Sequence, residues 1–313
     1  MQRISFVVPV YNEEDSIRLF IDTMEKILIP LKEKYAFDYV FVNDGSKDKT
    51  LSVLIEMKKT HPQISIVDFS RNFGKEAAMT AGIDNSKGDA VIPIDVDLQD
   101  PPEVVAELIR KWEEGYDVVL ARRADRSSDS AAKRLTAQWF YQFINTMAKP
   151  KIPENVGDFR LMDRKVVEAL KQLPERRRFM KGLFSWVGFD TAIVDYERKT
   201  RQAGTTKFSG WKLWNFAIEG ITSFSTALLE IWTYIGLLIS TSAFGYLVYI
   251  VGKTLLFGKD LEGYSSTLAT ILFLGGTQMV GLGILGVYIG RIYVEVKNRP
   301  IYIVRNYYPE DKA

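Results

Sequence analysis

Asp95-Val96-Asp97-Leu98-Gln99-Asp100-Pro101-Pro102 decides how this chain folds and what its site can hold. It follows Asp89-Ala90-Val91-Ile92-Pro93-Ile94, an apolar run that reads as a buried strand. It precedes Glu103 to Ile109, which reads as a helix with proline in its first turn. Two carboxylates one residue apart therefore stand at the C-terminal tip of a strand, where open α/β sheets bind ligands. Two hard oxygen donors there suit a divalent cation already partly coordinated by phosphate oxygens. Such a cation helps a diphosphate leave, because it neutralises charge that develops as the bond breaks. The plainer reading is a polar turn in which Asp100 only caps the helix.

Upstream, Ile4-Ser5-Phe6-Val7-Val8-Pro9-Val10, Tyr39-Val40-Phe41-Val42 and Ile64-Ser65-Ile66-Val67-Asp68-Phe69 are β-rich runs. Apolar residues at Ile17, Phe20, Ile21, Met24 and Leu28 mark a helix continuing to about Leu31. Downstream, Asp117-Val118-Val119-Leu120-Ala121 is a further strand that delivers Arg122-Arg123. A polar loop, Ala124 to Lys133, and an aromatic helix, roughly Arg134 to Met147, come next. The alternation of strand and helix through residue 121 predicts a parallel sheet with helices on both faces. At the first turn, Tyr11-Asn12-Glu13-Glu14 replaces the Gly-x-Gly-x-x-Gly of a Rossmann dehydrogenase, which disfavours that class. Asn43-Asp44-Gly45-Ser46 is turn chemistry, and it also sets Asp44 at the same sheet edge as Asp95, where it could accept hydrogen bonds from a nucleoside. Lys75 precedes a small-residue helix, Glu76 to Gly82, suited to close packing on the sheet. Lys75 itself reads either as a phosphate contact or as solvated surface.

At 313 residues the chain holds one large domain or two smaller ones. A formal net charge of +2 argues against a dedicated nucleic-acid binder. The absence of cysteine excludes disulfides and thiolate chemistry, and a single histidine, His61, disfavours a zinc site. That histidine stands in Lys58-Lys59-Thr60-His61-Pro62, which reads as an exposed helix end. The last third differs in character. Ile231 to Val251 gives 21 residues without a charge and Tyr264 to Gly290 gives 27. Each can span a hydrocarbon core of about 30 Å. Met1-Gln2-Arg3 leads straight into a strand-like run, so no signal peptide is expected.

Val8-Pro9-Val10-Tyr11-Asn12-Glu13-Glu14, Val42-Asn43-Asp44-Gly45-Ser46, Asn72-Phe73-Gly74-Lys75 and the Asp95–Pro102 stretch occur here in order. Together they resemble the family 2 glycosyltransferases. The form Asp-x-Asp-Leu-Gln-Asp-Pro-Pro is similar to the polyprenyl-phosphate branch, which includes dolichol-phosphate mannose synthase. The two C-terminal spans resemble the undecaprenyl-phosphate glucosyltransferases of the GtrB type. The resemblance implies an A-type glycosyltransferase fold, Rossmann-like with a mostly parallel sheet, followed by interfacial helices and two transmembrane helices.

It also implies roles. Pro9, Tyr11, Glu13, Val42 and Asp44 would line the nucleotide pocket, with Lys75, Ile94, Asp95 and Val96 completing the nucleotide-sugar site. Asp95, Asp97 and Gln99 would surround a Mg²⁺ or Mn²⁺ ion. Arg123 matches an arginine that faces phosphate; Arg134 matches a second one, with Lys133 as a rival. Arg201 and Lys207 match a basic pair near the acceptor. Asp158, in Asn155-Val156-Gly157-Asp158-Phe159-Arg160, matches the catalytic carboxylate. A phosphate monoester is largely a dianion at neutral pH. A base is then less necessary than for a hydroxyl acceptor, and Asp158 has the alternative of orienting a sugar hydroxyl or an arginine. Asp163 is expected to cap the helix Arg164 to Leu170. The chain lacks the Gln-x-x-Arg-Trp of processive synthases, which favours a single transfer per acceptor.

Four segments follow: a cytoplasmic glycosyltransferase domain (1–207), interfacial amphipathic helices (208–229), a transmembrane hairpin (230–292) and a cytoplasmic tail (293–313). Glu175-Arg176-Arg177-Arg178-Phe179-Met180-Lys181, with Phe184 and Trp186, reads as a contact with anionic headgroups or as a solvated helix start. Phe208 to Leu229 reads as lying on the bilayer. Gly286 and Gly290 form a Gly-x-x-x-Gly pair suited to helix packing within or between subunits. Arg291, Lys297, Arg299 and Arg305 place the tail, and the N-terminal domain with it, in the cytoplasm of a bacterial cell with the spans in its inner membrane. The expected reaction is an inverting transfer of glucose from UDP-glucose to undecaprenyl phosphate, for cell-surface glycan modification, by a homo-oligomer that the resemblance makes a tetramer. GDP-mannose or a UDP-aminoarabinose derivative is the alternative donor. A non-catalytic membrane protein that binds nucleotide sugars or moves lipid-linked sugars is the alternative of another class.

Overall fold

The structure, a computed structural model, describes residues 1–124, 153, 155–197, 227–258 and 263–311. It divides into two units, residues 1–220 with 299–313, and residues 221–298.

The first unit is built on an eight-stranded sheet. Strands β1 (Gln2–Val10), β2 (Tyr35–Asn43), β3 (Ile64–Phe69), β4 (Ala90–Pro93), β5 (Val118–Arg123), β6 (Val156–Asp163), β7 (Thr191–Tyr196) and β8 (Val304–Tyr308) lie in the order β7-β5-β6-β4-β1-β2-β3-β8. The first four strands are mutually parallel, as the alternation predicts. The next strand, β5, keeps that direction but does not lie beside β4; β6 inserts between them, antiparallel to both. Its residues lie more than sixty positions beyond β4 in the chain, so local pattern carries no information about that pairing.

Helices α1 (Ser16–Leu28), α2 (Thr50–Thr60) and α4 (Val104–Glu113) cover one face of the sheet, and α3 (Lys75–Asn85) covers the other. Strand alternation sorts the two cores: Ile4, Phe6, Val8 and Val10 join the first, while Val7 meets α3. There α3 lies so close that a Cβ on Gly82 would stand 2.2 Å from Val7 Cγ1. A single 3₁₀ turn with Pro30 (Ile29–Leu31) ends α1. Short helices α5 (Arg164–Lys171) and α6 (Met180–Trp186) follow β6. Asp163 caps α5, accepting from the Lys165 N–H at 3.0 Å. The Asp100 carboxylate, just before α4, accepts from the Tyr196 hydroxyl at 2.5 Å.

Residues read as a tail return to the sheet. β8 adds an antiparallel edge to β3, and Tyr302 stacks on Phe69 at 5.1 Å. Glu310 pairs with Arg3 and, at 3.0 Å, with Lys87.

The second unit is a helix pair, α7 (Ala227–Phe257) and α8 (Tyr264–Val296). Leu229–Phe257 and Phe273–Val296 are long and apolar enough to cross a membrane. The first helix runs past Val251, where the charge-free run ends, to Phe257. Within the pair the close approach is at Gly281, whose added Cβ would stand 2.2 Å from Trp232 Nε1. Gly286 and Gly290 have nothing within 4 Å of an added Cβ. Of the interfacial segment expected at 208–229, residues 227–229 begin α7 and residues 208–226 lie outside the described residues, as do the loop after Ala124 and the aromatic helix expected from Arg134 to Met147.

Candidate active site

Every parallel strand from β1 to β4 ends at one edge, and the loops there are tied to one another. Asn12, in a left-handed turn (φ 54°), accepts from the Lys47 N–H at 2.9 Å. The Glu13 N–H donates to Thr50 Oγ1 at 2.9 Å. Asp44 holds the third loop: its carboxylate accepts from the Phe73 N–H at 2.6 Å, the Gly74 N–H at 2.9 Å and Asn72 Nδ2 at 2.9 Å. Gly45 allows that contact, since at φ +63° an added Cβ would lie 2.3 Å from the Arg71 carbonyl carbon. Burial raises the Asp44 carboxyl, opposed by the Phe73 and Gly74 N–H groups. Three of its acceptor positions are thus used internally. The geometry gives it a loop-fixing role beside the nucleoside contact read from its place in the sequence.

These loops wall a cleft of about 310 Å³. Pro9, Tyr11, Glu13, Asp44, Lys75, Asp95, Val96 and Asp97 line it, joined by Asn72, Gly74 and Ala78. Val42 and Ile94 do not; they are 0% and 2% exposed, within the sheet's cores. Leu98 turns the chain sharply with φ 55°, an uncommon backbone for a branched residue, and the Gln99 N–H donates to Asp97 Oδ1 at 3.2 Å.

Asp158 comes to the same place from β6. The Lys75 ammonium lies between Asp95 and Asp158, 2.8 Å from Asp95 Oδ1 and 2.9 Å from Asp158 Oδ2. Burial opposes the lysine's charge, but Asp95 and Asp158 outweigh it and hold its pKa above the ordinary value. Burial likewise opposes ionisation of Asp158, and Lys75 and Lys181 overcome it, keeping the carboxyl below the usual range. Arg160, two residues on, is 4% exposed with its guanidinium 4.1 Å from the centre of the Phe184 ring. Burial pushes it down to about 10, with Asp158 opposing, so it is still a cation at neutral pH. Behind this group Glu76 accepts from the Met180 N–H at 2.9 Å, and burial pushes its carboxyl up to about 7.

Lys75's bridging place, Glu76 and Arg160 escape a reading of the sequence alone. The one available signal was alternation along Asp158-Phe159-Arg160, which sets aspartate and arginine on one face of a strand. Arg123 lines a different cleft, with Asn155, Ile193 and Asp195, where Arg122 pairs with Asp195 at 2.6 and 2.8 Å. Arg134, Arg201 and Lys207 lie outside the described residues.

Among the described residues no three His, Cys, Asp or Glu side chains gather around one ion position. Asp95, Asp97 and Gln99 offer oxygen donors only, and too few to close a shell. That set fits a hard divalent cation that completes its coordination with oxygens of a bound diphosphate.

A sheet of this order, with an Asp-x-Asp at the cleft and a carboxylate facing it from an inserted antiparallel strand, defines an A-type glycosyltransferase. The chain belongs to glycosyl transferase family 2, which its residues 5–171 match. The SfII prophage-derived bactoprenol glucosyl transferase of Shigella flexneri is 56% identical over 303 residues, 97% of each chain. The bactoprenol glucosyl transferase of Shigella phage SfV is 56% identical over 304 residues, 97% of this chain and 98% of that one. A prophage bactoprenol glucosyl transferase homolog of Escherichia coli (strain K12) is 55% identical over 303 residues, again 97% and 98%.

Proposed function

We propose that this enzyme transfers glucose from UDP-glucose to undecaprenyl phosphate with inversion at the anomeric carbon. The observation that carries the reading is the meeting of Asp95 and Asp158 across one ammonium in the cleft. The activity named for the bactoprenol glucosyl transferases supports the choice of sugar and acceptor. An acceptor phosphate oxygen attacks the anomeric carbon as the bond to the UDP oxygen breaks, giving a β-linked lipid phosphate sugar and UDP.

Pro9, Tyr11, Glu13 and Asp44 bind the nucleotide in this scheme. Asp95, Asp97 and Gln99 would hold Mg²⁺ or Mn²⁺, which supplies neutralisation of the charge developing on the departing diphosphate. Asp158 orients; the acceptor dianion has no proton to give up, so the carboxylate positions a sugar hydroxyl or a cation. Arg134, Arg201 and Lys207 serve the phosphates, and Arg123 serves a phosphate that reaches its own cleft. The two apolar helices anchor the enzyme in the bacterial inner membrane with its sheet domain in the cytoplasm, as a homo-oligomer, a tetramer by its family likeness.

Proton NMR of the purified product tests the stereochemistry. A β-anomeric signal supports inversion, and an α signal contradicts it. Chelation by EDTA is expected to stop transfer, with Mg²⁺ or Mn²⁺ restoring it.

A further inference from the structure

Lys75 opens α3 directly after Gly74, and its side chain is 47% exposed. Its ammonium contacts both oxygens of Asp95, at 2.8 and 2.9 Å, and Asp158 Oδ2 at 2.9 Å. A divalent ion on Asp95 and an ammonium on the same two oxygens compete for the same lone pairs, and as like charges they repel. The flexible four-carbon stem and compact charge of lysine permit a swing away from Asp95 that retains Asp158.

We propose that Lys75 is a resident counter-ion that occupies Asp95 until a metal-bearing nucleoside diphosphate arrives. On entry it yields Asp95 to the ion, keeps its contact with Asp158 and turns its charge toward the diphosphate. The lysine thereby links loading of the donor to the position of the acceptor-side carboxylate. It also selects the metal–nucleotide complex over the bare ion, because only the complex brings phosphate oxygens that offset the lost ion pair. The inference rests on the reading of Asp95 as a metal ligand. It makes Lys75 a positioning residue that acts through two carboxylates.

Mn²⁺ binding to the full-length protein in detergent, read from the electron paramagnetic resonance of free Mn²⁺, tests this without turnover. Wild type is expected to bind weakly alone and at least about tenfold more tightly with UDP. Lys75→Met is expected to bind bare Mn²⁺ about tenfold or more tighter than wild type, the scale of removing one cation in contact with a ligand carboxylate. UDP then adds less than it does in wild type. Lys75→Arg retains the charge and should stay within about threefold of wild type. Lys181→Met removes an equal charge that acts on Asp158 without a contact to Asp95, and it too should stay within about threefold. If Lys75→Met binds bare Mn²⁺ no better than Lys181→Met does, while UDP still recruits the ion, the lysine's role is overturned and the metal site stands. If wild type binds no Mn²⁺ even with UDP, the metal reading fails and the inference fails with it.

Discussion

Asp158, on β6, and Asp95, just after β4, are joined by a single lysine that reaches both carboxylates. Asp158, proposed to serve the acceptor, and Asp95, proposed to bind the donor's metal, are therefore electrostatically one unit. Asp158→Asn should lower turnover by about a hundredfold, the usual scale for a positioned polar group at the reacting centre. The pH–rate profile separates its two possible tasks. With an orienting Asp158, wild type and variant share an acid limb near pH 6, set by the acceptor phosphate. A further acid limb in wild type, below the usual carboxylate range and missing from the variant, would identify Asp158 as the titrating base.

Asp97→Asn keeps the shape of the turn and removes one charge from the ion's donor set. Turnover should fall below about a tenth of wild type, given the several kcal/mol such an ion contributes. Retention of more than that, measured at saturating donor and metal, contradicts the metal role.

Glu76 predicts a pH-dependent stability. Its carboxyl is raised by burial from 4.5 to about 7, so the folded protein retains a proton that the unfolded chain releases. The contribution is fully present below about pH 4.5 and is lost as pH rises through about 7. Glu76→Gln should accordingly gain on wild type between pH 5 and pH 8, by about 1–3 kcal/mol at the upper end. Thermal unfolding in detergent at both pH values measures it; an equal offset at both would remove Glu76 as the titrating group.

Close packing on the sheet gives another test. Gly82→Val drives a branched side chain into Val7, which an added Cβ alone would approach to 2.2 Å. Overpacking of this kind costs about 1–3 kcal/mol and shows as a lower melting temperature. Unchanged stability would mean that α3 sits farther from β1.

Beyond the second helix, Tyr302→Ala should destabilise the sheet domain by about 2 kcal/mol, because it removes the stack on Phe69 and the hydroxyl bond to Asp84 at 2.9 Å. A variant as stable as wild type would show that the return of the chain to β3 contributes nothing.

The parallel half of the sheet and most of the cleft were legible in the sequence. Runs such as Ile4–Val10 and Ile64–Phe69 are buried on both faces, so their composition is diagnostic. Asp44 and Asp95 stand just after such runs. What was not legible depends on distant pairing. β6 inserts between strands that precede it by many residues, and that insertion alone brings Asp158 to Asp95. β8 carries mostly exposed side chains, and its place is set by the open edge of β3. Lys75 was ambiguous because a lone lysine after glycine carries no sign of the two carboxylates that three-dimensional structure gathers around it. Arg123 followed its strand as read, yet the strand stands beyond β6 and delivers it to another cleft.

The purified full-length protein in detergent is mixed with undecaprenyl phosphate, Mg²⁺ or Mn²⁺, and one of several radiolabelled nucleotide sugars. The account predicts that label moves into the organic phase from UDP-glucose and that the movement needs the ion. Failure of every donor to give transfer, with nucleotide binding still measurable, would contradict it.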